Sequence, residues 1–193
     1  MKELIIESKG IKTNRYFIPP FELRKGELVL IHLDNHIDSS DIEEKMIAIF
    51  TGKVKHENVI VHKPLTYVKH FRESKFRSNY FPTTVGEYLL RNVNPNNKFA
   101  KKIYETDWIN KNTKINRLPG NPRRLLSLYS VLSKTNSIIF DLVAQDFQGI
   151  EHAAEIVKEE IKNDGSALLI DWSNHLKKDC TKYIRAERIP FFK

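Results

Sequence analysis

At 193 residues, with 40% hydrophobic and 29% charged side chains, the chain suits one globular domain with a sizeable core and is short for two of ordinary size. No apolar run approaches the roughly 20 residues that span a bilayer, the opening Met1-Lys2-Glu3-Leu4 does not begin a signal peptide, and a lone Cys180 excludes an internal disulfide or a multi-thiolate metal site. The net charge of +8 is compatible with nucleic acid, an anionic membrane surface or an acidic protein, and does not choose among them.

The first third reads as strands: Leu4 to Glu7, Tyr16 to Ile18, Phe21 to Leu23, a turn at Lys25-Gly26-Glu27, and an apolar strand from Leu28 to Leu33. Pro19 and Pro20 mark an edge or a bend. Asp41 to Phe50 places Ile42, Met46, Ile49 and Phe50 near helical spacing, with Ser39, Ser40 or Asp41 available as N-cap and Gly52 as the stop. Val59 to Val61 is a short strand. Residues 63 to 84 are polar, aromatic and basic without a clean period, and Lys63, Lys69, Arg72, Lys75 and Arg77 make this the densest basic stretch. Short helices are expected at Val85 to Val93 and Lys98 to Tyr104. The second half alternates more regularly: a helix to about Leu132, a strand Ile138 to Phe140, a helix Gly149 to Ile161, and strands Ala167 to Ile170 and Tyr183 to Ala186. Such alternation indicates an α/β sheet with crossover helices.

Two segments carry most of the functional information. The first is Leu118-Pro119-Gly120-Asn121-Pro122-Arg123 opening a helix; the second is Ser137-Ile138-Ile139-Phe140-Asp141, an apolar strand ending in an acid. With Lys25-Gly26-Glu27 before the first core strand and Pro82-Thr83-Thr84-Val85-Gly86-Glu87 before a helix, they resemble, in order and spacing, the nucleotide-binding domain of ATP-binding cassette (ABC) transporters. The resemblance implies a P-loop NTPase-like, mainly parallel sheet with N-terminal antiparallel strands, in a single domain (1–193) with a helical subdomain at about 85–132.

The resemblance also implies a degenerate member. No G-x-x-x-x-G-K-[ST] phosphate loop, whose backbone N–H groups and lysine hold phosphates, occurs in the chain. Asp34 to Ser40 stands in its place, with two aspartates that would repel a triphosphate; only an active but atypical ATPase would use the Ser39 and Ser40 hydroxyls there as phosphate ligands, against Asp38 and Asp41. In the signature turn Gly120 survives, Asn121 replaces the second glycine, and Pro119 replaces the serine. Asp141 matches the carboxylate that holds Mg²⁺, but Leu142 stands where the water-polarising glutamate belongs. Gln148 takes the place of an aspartate, and Trp172 that of the switch histidine, with His175 three residues late. The leading reading is therefore a pseudo-ATPase with no catalytic residues and no cofactor, serving a structural or regulatory role beside an ABC permease or second cassette subunit. Its location would be cytoplasmic, at the inner face of the membrane. Tyr67, Phe71, Phe76, Tyr80 and Phe81 are the candidate interface anchors. The alternatives are an active but atypical ATPase using ATP and Mg²⁺, with Asp141 as the residual metal ligand, and a basic nucleic-acid-binding cassette protein.

Overall fold

The structure, a computed structural model, describes residues 2–34 and 39–189. The chain divides into two compact units, the first made of Met1–Tyr67, Asn136–Asp141 and Ile156–Lys193, the second of Val68–Thr135 and Leu142–Glu155. The helical part therefore begins before residue 85 and recruits a segment after residue 141, a long-range association that local periodicity does not encode.

The first unit contains β1 (Leu4–Ser8), β2 (Ile11–Lys12), β3 (Tyr16–Ile18), β4 (Phe21–Arg24), β5 (Leu28–His32), α1 (Ser39–Phe50), β6 (Val59–Val61) and β7 (Thr66–Tyr67). The second holds α2 (Lys75–Tyr80), α3 (Val85–Asn92), 3-10 turns at Lys98–Glu105 and Ile115–Arg117, and α4 (Gly120–Leu132). The chain continues through β8 (Ser137–Phe140), α5 (Phe147–Lys162), β9 (Ser166–Asp171), β10 (Lys182–Arg185) and β11 (Glu187–Arg188).

Five strands in the order β10-β5-β9-β8-β7 form a wholly parallel sheet. β5, β8 and β9 are buried along their whole length, which is why they read as continuous apolar runs: a central parallel strand is covered on both faces. Antiparallel strands make two smaller sheets, β4-β1-β6 and β11-β3-β2. α1 turns Ile42, Met46, Ile49 and Phe50 into the core beside Val29, Ile31, Ile139 and Leu168, the i, i+4, i+7, i+8 stripe of an amphipathic helix. It stops as expected at Gly52, whose φ of 75° admits the left-handed cap conformation.

In the second unit, α3 starts with a capping box in which Thr84 and Glu87 satisfy each other's backbone N–H groups. Val85 and Leu89 are its buried face. The Tyr88 hydroxyl meets Ser130 Oγ of α4 at 3.1 Å, and Phe99 stacks on Tyr129 with centroids 5.7 Å apart.

Candidate functional site

Because all five strands run parallel, their carboxyl ends lie at one edge, where open α/β sheets gather functional groups. In register, His32 at the end of β5 stands opposite Asp171 at the end of β9, and Phe140 of β8 pairs with Leu169, so that Asp141 follows immediately at the same edge. Asp141 is 2% exposed and Asp171 5%. The Tyr67 hydroxyl, from β7, donates to Asp141 Oδ2 at 2.9 Å. Burial, reinforced by the negative charge of Asp141, pushes the Asp171 carboxyl up to about 6, although the backbone N–H groups of Trp172 and Ser173 and the nearby His175 favour its charged form. Burial likewise lowers the His32 imidazole pKa, against the pull of Asp34, and its Nδ1 finds no partner among the described residues. The edge thus holds two buried carboxyl groups with unlike environments. Trp172 packs on the apolar core, its indole presenting carbon surface where the resemblance calls for an imidazole.

A second constellation lies within the helical unit. Gly120 and Asn121 form the first turn of α4, and the segment after Leu142 closes on them. Asn121 Nδ2 donates to Asp146 Oδ1 at 2.7 Å, while Asn121 Oδ1 accepts the Asp146 backbone N–H at 3.1 Å. The same Asp146 Oδ1 accepts the Gly149 N–H at 2.9 Å, capping α5. That N–H and the Asn121 amide hold the Asp146 carboxyl below its ordinary range. The approach is tight. A Cβ on Gly120 would fall 2.0 Å from the Ala144 carbonyl oxygen, and one on Gly149 2.2 Å from Asn121 Oδ1. Arg123 closes the turn from the other side, donating to the Leu118 and Asn116 carbonyls. Gln148, exposed, lies in the first turn of α5.

Ser39 and Ser40 open α1, but their side chains, like residues 35–38, lie outside the described residues. The five aromatic candidates divide. Tyr67 is engaged with Asp141, and Phe71 packs edge-on against Tyr88. Phe76, Tyr80 and Phe81 are 68%, 68% and 71% exposed, with Phe76 contacting both of the others. Asp171, Asp146 and His32 are residues that sequence reasoning passed over. Asp171 had a signal, since it ends an apolar run as Asp141 does.

No protein-family model and no curated protein matches the sequence. Solved structures do match. An ATP-binding subunit of an ABC transporter aligns with a TM-score of 0.64 at 12% identity, over 94% of this chain and 85% of that one. This is the fold of an ABC cassette. A bacterial ABC transporter cassette solved as a dimer gives a TM-score of 0.61 at 15% identity, covering 100% of both chains. The cassette cbiO1 from Clostridium perfringens, part of the ABC transporter complex cbiONQ, gives 0.62 at 13% identity, over 96% of this chain and 88% of its own. No helix among the described residues is long and apolar enough to cross a membrane.

Proposed function

We propose that the chain is a non-hydrolysing cassette subunit, structural or regulatory in role, within a membrane ABC complex on the cytoplasmic side. One observation carries this reading: the carboxylate at the Mg²⁺ position, Asp141, is buried under the Tyr67 hydroxyl, and the residue after it is the buried Leu142. Phosphoryl transfer rests on positioning and on stabilising charge around the phosphates. Two features support the reading: Leu142 cannot orient water, and the sequence supplies no phosphate-loop lysine to hold phosphates.

The partner reading is supported by the exposed ring cluster of Phe76, Tyr80 and Phe81, aromatic anchors of the kind that dominate binding energy at interfaces, and by neighbours that are a dimer and a part of a transporter complex. Truncating Phe76 and Phe81 to alanine is expected to abolish copurification of a permease or second cassette from the native host while leaving the melting temperature unchanged. Retained copurification would remove this surface from the interface. The ATPase alternative draws on Asp171, a carboxyl poised near 6 beside Asp141, and a turnover measurement separates the two.

A further inference from the structure

Three arginines from separate points of the helical unit, Arg72 before α2, Arg77 within it and Arg91 in the last turn of α3, line one cleft of about 310 Å³. Its apolar wall is fixed: Phe71 packs edge-on against Tyr88 with centroids 5.7 Å apart, and the Tyr88 hydroxyl is tied to Ser130. The only carboxylate among the described lining residues is already engaged. Glu73 Oε1 accepts the Thr83 N–H at 3.0 Å and the Thr83 hydroxyl, and pairs with Arg77 Nε at 3.2 Å. The Glu73 side chain is 5% exposed, and its Oε2 has no partner among the described residues. A buried carboxylate oxygen left unpaired destabilises a fold, and what it secures here is the placement of Arg77. The Arg77 Nη groups, and the whole guanidinium groups of Arg72 and Arg91, make no hydrogen bond or ion pair among the described residues. Glu87, one helical turn before Arg91, attracts it without an ion pair and is committed to the capping box, where it accepts the Thr84 N–H at 2.8 Å.

We propose that this cleft binds a phosphate monoester dianion. Three guanidinium groups converging from different directions suit a ligand with several oxygens pointing different ways. A phosphate monoester has three terminal oxygens and close to two charges near neutral pH, and the planar fork of arginine matches it. A carboxylate offers two oxygens in one plane and a single charge. The Phe71–Tyr88 wall gives the esterified group an apolar surface to lie on. None of the lining residues stands at a position that the cassette resemblance assigns to nucleotide, so binding here is independent of whether the chain hydrolyses ATP. The monoester is either a free small molecule or the headgroup of a lipid, and both meet the same three arginines.

Isothermal titration of the full chain with phenyl phosphate and with benzoate, and flotation with phosphatidylcholine vesicles that contain or lack phosphatidic acid, test the proposal. The phosphate is expected to bind, more weakly as salt is raised, and benzoate at least about tenfold less tightly. The Arg72→Ala/Arg91→Ala variant is expected to lose about tenfold or more in affinity, the scale of losing charge-assisted hydrogen bonds. Lys101→Ala/Lys178→Ala removes the same charge from outside the cleft and should leave affinity unchanged. All four positions are exposed, so an unchanged melting temperature establishes that the variants are folded. Binding of phenyl phosphate assigns the free ligand. Flotation that needs phosphatidic acid, Arg72 and Arg91, without binding of phenyl phosphate, assigns the lipid headgroup. Binding of neither, benzoate binding as tightly as phenyl phosphate, or an arginine variant that loses no more affinity than the lysine variant would overturn the proposal.

Discussion

Asp171→Asn should stabilise the protein near neutral pH and leave it nearly unchanged in acid. The carboxyl is held at about 6 in the fold against an ordinary 3.8, chiefly by burial. At about 1.4 kcal/mol per unit, a gap of roughly two units corresponds to about 3 kcal/mol of differential stability. The sign follows from proton uptake. Between the two values the folded state binds more protons at this group than the unfolded state, so its contribution falls as pH rises from about 4 to about 6 and stays unfavourable above that range. Asparagine keeps an oxygen for the Ser173 N–H that donates to Asp171 Oδ2 at 3.3 Å, so the substitution removes charge more than shape. Urea unfolding of both proteins at about pH 4 and about pH 8 is the assay; groups common to both cancel in the difference, which should approach about 3 kcal/mol in the alkaline arm and shrink to about 0.5 kcal/mol in the acid one. An Asp171→Asn protein that is less stable than the parent at about pH 8 would refute the reasoning, because the ionised carboxyl would then be favoured by its surroundings.

Gly120→Ala places a Cβ 2.0 Å from the Ala144 carbonyl oxygen, and because that atom is backbone the turn itself must move. The expected cost is about 3 kcal/mol or more, read as a lowered denaturation midpoint; a neutral substitution would mean that the turn is not held closed. Tyr67→Phe removes the hydroxyl that donates to Asp141 Oδ2 and should cost about 1.5–3 kcal/mol, the range for a hydrogen bond to a charged group, with an unaltered midpoint counting against that bond.

The sheet was legible because its central strands are buried on both faces: Leu28 to His32, Ser137 to Phe140 and Ser166 to Asp171 are apolar runs with no competing helical period. α1 was legible for the opposite reason, its clean stripe from Ile42 to Phe50. β7 was not, since two residues, Thr66 and Tyr67, have no period to read. The same residue explains why the Asp141 environment was missed: Tyr67 reaches it from 74 positions away, and nothing local marks a tyrosine as the partner of a distant acid. The Asn121–Asp146 clasp spans 25 positions and depends on Gly120 and Gly149 lacking side chains, a requirement set by tertiary contact. Phe71 and Phe76 look alike in sequence, yet one packs on Tyr88 and the other faces solvent; burial separates them, and local composition does not encode burial.

The central claim, a cassette fold without hydrolysis, is tested most directly by Mg-ATP turnover of the full chain beside two variants, Asp141→Asn and the double substitution Leu142→Glu/Trp172→His. The double variant supplies a water-polarising carboxylate and a switch histidine, but no backbone cradle and no lysine to hold phosphates. Phosphate release at the level of the Asp141→Asn control is predicted for both the parent and the double variant. Turnover by either one that disappears when Asp141→Asn is introduced would contradict the account and make the chain an ATPase.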